Sequence, residues 1–133
     1  MGDLDALFTA ARAAQAKAYV PYSRFKVGAA ILGADGHIYA GCNVENAAYP
    51  TSVCAEGGAV AAMVMGGCTQ IAAVIVVGDG AGLCTPCGNC RQRLREFAKG
   101  DTPVHVAGPE GVRRSFTLEA LLPASFGPEN LSI

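Results

Sequence analysis

Apolar and polar positions recur with periods that divide the chain into helices, strands and turns. Near the N-terminus apolar side chains return every three or four residues, which predicts an amphipathic helix capped by Asp3 and ended by Tyr19-Val20-Pro21. Its apolar positions are Leu4, Leu7, Phe8, Ala11 and Ala18. Residues 25–32 and 37–42 then have the pattern of two strands, and Asp35-Gly36 between them predicts an antiparallel hairpin.

The middle of the chain alternates between helical and strand patterns. A polar, proline-containing stretch predicts a loop, and Ser52 is a candidate cap for a helix from about Cys54 to Met65, ended by Gly66-Gly67. Residues 71–77 are continuously apolar and rich in β-branched side chains. That composition is typical of a central strand covered on both faces.

The last part of the chain adds a helix between two further strand patterns. Thr85 is the expected cap and Pro86 the first turn of a helix that runs to about residue 98. Residues 103–107 predict a strand that is joined to the central one by a strand–helix–strand crossover. Residues 112–116 predict an edge strand, Thr117 is expected to cap a short helix through Leu122, and the tail from Pro123 onward is expected to be irregular.

This order of elements predicts an α/β fold with one domain over residues 1–133. A mixed five-stranded sheet would lie between helices, as a three-layer α/β/α sandwich.

Composition adds two expectations about surfaces. Hydrophobic residues make up 51% of the 133 residues and charged residues only 16%, which is a sparse polar coat for a small monomer. A homo-oligomer would explain this balance; the alternative is that alanine accounts for the apolar excess. The net charge is −1 and the basic residues are scattered, which argues against a nucleic-acid partner.

The chain opens without the pattern of a secretion signal and holds no apolar run of membrane-spanning length. We therefore expect a cytoplasmic protein with no membrane partner. Cysteines in that compartment stay reduced, so the six cysteines favour a metal site or catalysis over disulfides.

Four of the cysteines form two constellations. Cys84, Cys87 and Cys90 lie within seven residues, and Cys54 precedes Glu56 by two. Thiolates from two helix N-termini could hold a tetrahedral Zn²⁺ with one position left for water, which is typical of a catalytic site. Such a water can ionise near neutral pH and attack an electrophilic carbon, while a carboxylate such as Glu56 moves its proton.

The residue types alone leave two other metal sites open. The Cys-x2-Cys-x2-Cys run is similar to that of an iron–sulfur protein, although it lacks the fourth cysteine. A closed structural zinc site formed by Cys54, Cys84, Cys87 and Cys90 is the best alternative without catalysis.

Cys54-Ala55-Glu56 followed by Pro86-Cys87-Gly88-Asn89-Cys90 resembles the signature of zinc-dependent deaminases. More narrowly, the chain is similar to the small three-cysteine cytidine deaminases. The resemblance extends through residues 19–30, 41–47 and 121–126. It implies a cytidine-deaminase-like fold and a homotetramer with one Zn²⁺ per subunit, held by Cys54, Cys87 and Cys90.

The resemblance also implies the reaction and its substrate contacts. The expected reaction is hydrolytic deamination of cytidine and deoxycytidine at C4, with release of ammonia, as in pyrimidine salvage; hydroxide on the zinc would attack C4 and Glu56 would shuttle the proton. The residues expected to bind the nucleoside are Phe25 against the pyrimidine, Asn43 and Glu45 at the ribose, and Ala55. Neighbouring subunits would contribute Ala47, Tyr49 and Phe126.

Two related activities remain as alternatives: deamination of a base within nucleic acid, and deamination of a nucleoside-like antibiotic such as blasticidin S. The weak basic character argues against the first, and Asn43-Val44-Glu45 argues for a ribose and against the second. In one respect the chain departs from the family, because many members have arginine directly after the catalytic glutamate and this chain has Gly57. Helix dipoles and Arg91 are the candidates to offset the thiolate charge instead.

Overall fold

The computed structural model of the protein describes residues 2–131 and contains a mixed five-stranded sheet. The strands are β1 (Val27–Gly33), β2 (Ile38–Cys42), β3 (Ile71–Gly78), β4 (Pro103–Gly108) and β5 (Gly111–Thr117). Their order across the sheet is β2-β1-β3-β4-β5. β3 and β4 are parallel, whereas the other neighbouring pairs are antiparallel. The predicted hairpin, central strand and edge strand are all confirmed.

Helices cover both faces of this sheet. They are α1 (Gly2–Gln15), α2 (Ala55–Met65), α3 (Gly88–Arg95) and α4 (Leu118–Leu121), with short 3-10 helices at Tyr49–Thr51 and Pro128–Leu131. α1 packs on one face, and α2, α3 and α4 pack on the other. The three-layer α/β/α arrangement is therefore as predicted, and none of the helices in residues 2–131 has the length and apolarity needed to cross a membrane.

The central strand explains why residues 71–77 carry almost no polar side chain. Val74 and Val76 belong to the core beneath α2 and α3, whereas Ala73, Ile75 and Val77 belong to the core beneath α1. Successive side chains of a strand point to opposite faces, so a strand between two helical layers needs apolar residues at every position.

Two glycines let helices approach the sheet closely. A Cβ on Gly28 of β1 would overlap the backbone of Ala11 and Gln15 in α1. A Cβ on Gly41 of β2 would overlap backbone atoms of α2 in the same way. The ends of α1 and α2 are thereby fixed against β1 and β2.

Some predicted helix ends are wrong. Cys87, in an extended conformation, is the N-cap of α3, so Thr85 and Pro86 lie before the helix, which ends at Arg95. Cys54 is likewise the N-cap of α2, and Ser52 instead accepts a hydrogen bond from the Asn46 N–H at 3.2 Å. The thiols of these two N-cap residues therefore lie at the helix ends.

The other helix ends agree with the prediction or differ from it by about one turn. Thr117 caps α4 as expected, its Oγ1 accepting from the Ala120 N–H at 3.2 Å. α1 ends at Gln15, earlier than predicted, because the chain must turn for the Tyr19 N–H to reach the Asn43 carbonyl at 3.0 Å. The tail, expected to be irregular, includes the 3-10 helix Pro128–Leu131.

Candidate metal centre

Three cysteine sulfurs meet where the N-termini of α2 and α3 come together. The Sγ atoms of Cys54, Cys87 and Cys90 all lie within 4.8 Å of one another. Cys54 and Cys87 occupy the two N-cap positions, and Cys90 lies in the first turn of α3. An N-cap side chain reaches over the end of its helix, so Cys54 and Glu56 can approach one metal although they are two residues apart.

The geometry and chemistry of these sulfurs fit zinc. Zn–S bonds of about 2.3 Å in a tetrahedral site place sulfur atoms about 3.8 Å apart, within the separation seen here. Three protein ligands leave one position open, which distinguishes this site from a closed four-thiolate centre. Within residues 2–131, Cys84 is not part of the sulfur cluster. Its Sγ packs instead against Gly78, where a Cβ would lie 2.6 Å from it.

The cysteine environments differ in charge and burial. Burial raises the pKa of both Cys54 and Cys90, and the nearby Glu56 charge raises each further. Burial also acts on Cys87, but hydrogen bonds from Cys90 and Asn89 outweigh it and leave the Cys87 pKa lowered. All six cysteines are free of disulfides. Zinc would bind the thiolate forms, so its binding would release the protons that these thiols carry.

Glu56 is the buried carboxyl beside this cluster. Its side chain is in the first turn of α2, and the residue is only 5% exposed. Burial raises the pKa of Glu56, partly offset by its own backbone N–H, the Cys90 thiol and the Arg93 charge. A carboxyl with a raised pKa can both accept and donate a proton near neutral pH.

A cavity of about 440 Å³ has Cys54 in its wall but not Cys87, Cys90 or Glu56. Its lining includes Cys54, Asn43, Glu45 and Tyr49. Residues predicted from separate stretches of the chain are thus brought to one cavity. A larger groove, of about 590 Å³, lies at the amino ends of β3 and β4, and no cysteine lines it.

Asn43 and Glu45 also hold the segment that carries Phe25. Asn43 Oδ1 accepts from the Val27 N–H at 2.9 Å, and its Nδ2 donates to the Phe25 carbonyl at 2.9 Å. The Glu45 carboxylate accepts from the N–H of Tyr22 at 3.0 Å, and from the N–H and hydroxyl of Ser23. The Ser23 hydroxyl is the main reason that the Glu45 pKa is lowered. Each side chain keeps further hydrogen-bonding capacity for a ligand.

Gln15 and Asp79 are two residues near the site that the sequence patterns did not indicate. Gln15 is buried, and its Nε2 donates to the Lys26 carbonyl at 3.1 Å and to Asp79 Oδ1 at 3.0 Å. Asp79 Oδ2 in turn accepts from the Lys26 N–H at 3.3 Å. These contacts fix the backbone of Lys26, whereas Asn43 fixes the backbone of its neighbours Phe25 and Val27. The one available signal was the position of Asp79 directly after the central strand.

The remaining predicted substrate residues have contrasting exposure. Ala55 is buried at the start of α2, and Phe25 is partly exposed. Ala47, Tyr49 and Phe126 are exposed, Tyr49 at 73% and Phe126 at 57%. Only Tyr49 of these three lines the cavity that has Cys54 in its wall.

Comparison with known proteins agrees with this architecture. Residues 1–106 match the cytidine and deoxycytidylate deaminase zinc-binding region. A cytidine deaminase of Sporosarcina psychrophila is 44% identical over 130 residues, covering 98% of this chain and 96% of that protein. One from Mycobacterium tuberculosis is 43% identical over 118 residues, covering 89% and 85%.

Solved structures give the same result for the fold. The crystal structure of a cytidine deaminase from Burkholderia pseudomallei superposes with a TM-score of 0.86 at 44% identity, covering 92% of this chain and 98% of that one. The Mycobacterium tuberculosis enzyme superposes with a TM-score of 0.81 at 41% identity, covering 94% and 98%. Since sequence and fold agree along nearly the whole length, well beyond the cysteine motifs, the chain belongs to the zinc-binding cytidine deaminase family.

Proposed function

We propose that this protein is a zinc-dependent cytidine deaminase that hydrolyses cytidine and deoxycytidine at C4, giving uridine or deoxyuridine and ammonia. The observation that carries the proposal is the open cluster of three cysteine sulfurs with the buried Glu56 carboxyl beside it. Full-length similarity to proteins named cytidine deaminase supports the choice of substrate.

In this proposal Cys54, Cys87 and Cys90 hold one zinc ion, and Glu56 moves the proton. When bound, zinc supplies a Lewis acid that lets water ionise near neutral pH. A Glu56 carboxylate oxygen accepts the proton that the attacking water releases as the C4–O bond forms. The carboxyl gives that proton to N3 as the C4=N3 double bond opens. It then takes the remaining hydroxyl proton and delivers it to the amino nitrogen, so that C4=O forms as the C4–N bond breaks and ammonia leaves.

The substrate would be held by Asn43 and Glu45, which line the cavity, together with Phe25 and Ala55, which do not. Phe25 offers an apolar ring to the pyrimidine, and Ala55 lies between the metal ligand and the acid–base residue. Asn43 and Glu45 combine an amide and a carboxylate, which together can donate to and accept from ribose hydroxyls. Both are fixed by backbone hydrogen bonds, so little side-chain entropy is lost when the ribose binds.

The protein is further proposed to be a homotetramer whose sites receive Ala47, Tyr49 and Phe126 from neighbouring subunits. The supporting observation is a group of large apolar side chains exposed on the single chain. They include Tyr22, Val44, Tyr49, Val53 and Phe126. Exposed apolar surface of this kind marks interfaces.

The direct test measures deamination by the loss of ultraviolet absorbance of cytidine and deoxycytidine, with and without a chelator. We expect both nucleosides to be consumed by the zinc-loaded protein, and activity to be lost with the metal and regained when zinc returns. Blasticidin S serves as a comparison substrate. Zinc-loaded protein that leaves both nucleosides unchanged would contradict the proposal.

Glu56→Gln separates metal binding from proton transfer. The amide keeps the size of the side chain but cannot take a proton, so zinc content should stay at one per chain while kcat falls about 10²- to 10⁴-fold. Cys87→Ser provides the opposite control, because it should lose zinc and activity together. Activity near wild type in Glu56→Gln would remove Glu56 from its assigned role.

A further inference from the structure

The proposed metal site carries an excess of negative charge. Three thiolates and one Zn²⁺ have a formal charge of −1, and an ionised Glu56 makes it −2. Glu56 and Cys90 are buried, where uncompensated charge is costly. The N-termini of α2 and α3 offset part of this charge through their backbone N–H groups. A full positive charge close by would offset much more.

Arg91 directly follows the last cysteine, but its guanidinium is committed elsewhere. Its Nε donates to the Pro86 carbonyl at 2.7 Å, and its Nη1 donates to the Leu121 carbonyl at 2.7 Å. These bonds join the loop before α3 to the end of α4. Arg91 is therefore placed as a structural link between two segments.

Arg93 lies against the first turn of α2. A Cβ on Gly57 would be only 2.5 Å from Arg93 Nη1 and 3.5 Å from its Cζ, so the guanidinium occupies the space that any side chain at position 57 would fill. Gly57 follows Cys54 by one helical turn, and Arg93 follows Cys90 by one turn. Helical side chains lean toward the N-terminus, which directs Arg93 back over the turn that holds Cys90.

The Arg93 charge is available to the site. The side chain is half-buried, and its guanidinium lies against Gly57, the residue directly after Glu56. Arg95 and Arg113 are paired with Glu129 and Glu110, whereas no hydrogen bond or ion pair within residues 2–131 engages the Arg93 guanidinium.

We propose that Arg93 is the counter-charge of the zinc–thiolate centre, and that Gly57 is glycine so that the guanidinium can reach it. The inference rests on the proposed zinc site and not on the identity of the substrate. Glycine within a helix is less favourable than alanine. The room that it leaves for the Arg93 guanidinium explains why glycine occupies this position.

The first test compares zinc affinity by competition with a chromogenic chelator in the absence of substrate. Arg93→Gln removes the charge but keeps a polar chain of similar shape, and should bind zinc about 10- to 100-fold more weakly. Arg93→Lys retains the charge and should lie closer to wild type. Arg114→Gln is the matched control, since it removes the same charge from the exposed β5, where Arg114 lies over the Phe116 ring. Wild-type zinc affinity in Arg93→Gln, or an equal loss in Arg114→Gln, would overturn the inference.

A second test uses the contact between positions 57 and 93. Gly57→Ala should weaken zinc binding when Arg93 is present, because the new Cβ displaces the guanidinium. The same change in an Arg93→Ala background should have little further effect, because no guanidinium remains to be displaced. Equal effects of Gly57→Ala in both backgrounds would show that the two residues act independently and would refute the role given to Gly57.

The absorption spectrum of the cobalt-loaded protein provides a third test. A purely structural role of Arg93 would leave this spectrum unchanged. Loss of the Arg93 charge should leave the thiolate electrons less tightly held, which shifts the thiolate-to-cobalt absorption band to longer wavelength. Arg114→Gln should leave the band in place, and an unshifted band in Arg93→Gln would count against the counter-charge. None of these measurements uses cytidine. Protein that passes them but leaves cytidine unchanged would refute only the proposed activity.

Discussion

The roles of the cysteines depend on where each lies relative to a helix end. Cys54 and Cys87 are N-caps, and Cys90 follows one turn later, so their sulfurs converge. Cys84 is equally close to Cys87 in sequence, yet its thiol lies against Gly78 and burial raises its pKa to about 11. Its position keeps Cys84 out of the cluster, and its protonation does not distinguish it, because burial also raises the pKa of Cys54 and Cys90.

Cys84→Ser therefore tests the open site against a four-thiolate one. We expect the variant to keep one zinc per chain, as measured by metal analysis, and to deaminate cytidine within a few-fold of wild type. Cys90→Ser, which removes a cluster sulfur, should lose the metal. Loss of zinc from Cys84→Ser would favour the structural four-cysteine site instead.

Helices and strands fix the site because they approach one another closely. Gly28 lies under α1 near Gln15, whose amide holds Lys26 and Asp79 beside Phe25. Gly41 lies under α2, the helix that carries Cys54 and Glu56. Small residues in β1 and β2 thereby set the positions of Phe25, the proposed base contact, and of Cys54, a proposed metal ligand.

Gly28→Ala should destabilise the fold, because its Cβ would overlap backbone atoms of α1 that cannot move aside as a side chain can. We expect a loss of about 1–3 kcal/mol in the free energy of unfolding, measured with urea. Gly82→Ala is the control, since a Cβ there meets no atom within 4 Å. Similar losses in the two variants would mean that the α1 contact is unimportant.

At the scale of the whole molecule, sheet topology gathers the site at one end. Val27 pairs with Gly78, and Gly28 pairs with Cys42, so the start of β1, the end of β2 and the end of β3 are neighbours. The loops and helices that leave these ends carry Phe25, Asn43 and the cysteines. Exposed apolar side chains at the same end, Tyr49 among them, are the surface proposed to meet other subunits.

Mixed subunits test the proposed composite sites. Light scattering should first give a mass four times the chain mass of 13.5 kDa. Refolding Glu56→Gln together with Phe126→Ala should then restore activity, because some sites receive an intact Glu56 from one subunit and an intact Phe126 from its neighbour. Glu56→Gln mixed with Cys54→Ser should stay inactive, since both defects lie in the same subunit's site. A monomeric mass, or no recovery in the first mixture, would contradict shared sites.

Local patterns in the sequence were enough to predict the helices, the strands and the candidate deaminase chemistry. The two faces of β3 required apolar residues throughout, and the cysteines, Glu56 and Pro86 identified the deaminase signature. These signals are local, because periodicity and motif spacing are properties of short stretches. The caps of α2 and α3 were harder to predict, since Ser52 and Thr85 have better intrinsic capping chemistry than cysteine.

The contacts between residues that are distant in sequence could be identified only from the packing of helices on the sheet. Three features depend on how the helices pack on the sheet. Cys84 lies outside the sulfur cluster, Gln15 bonds to Asp79 across 64 residues, and the Arg93 guanidinium lies against Gly57. Arg91 and Arg93 look equivalent along the chain, yet Arg91 links two carbonyls and the Arg93 guanidinium lies against Gly57. Side-chain direction on a helix changes by about 200° over two residues, and only packing shows what lies in each direction.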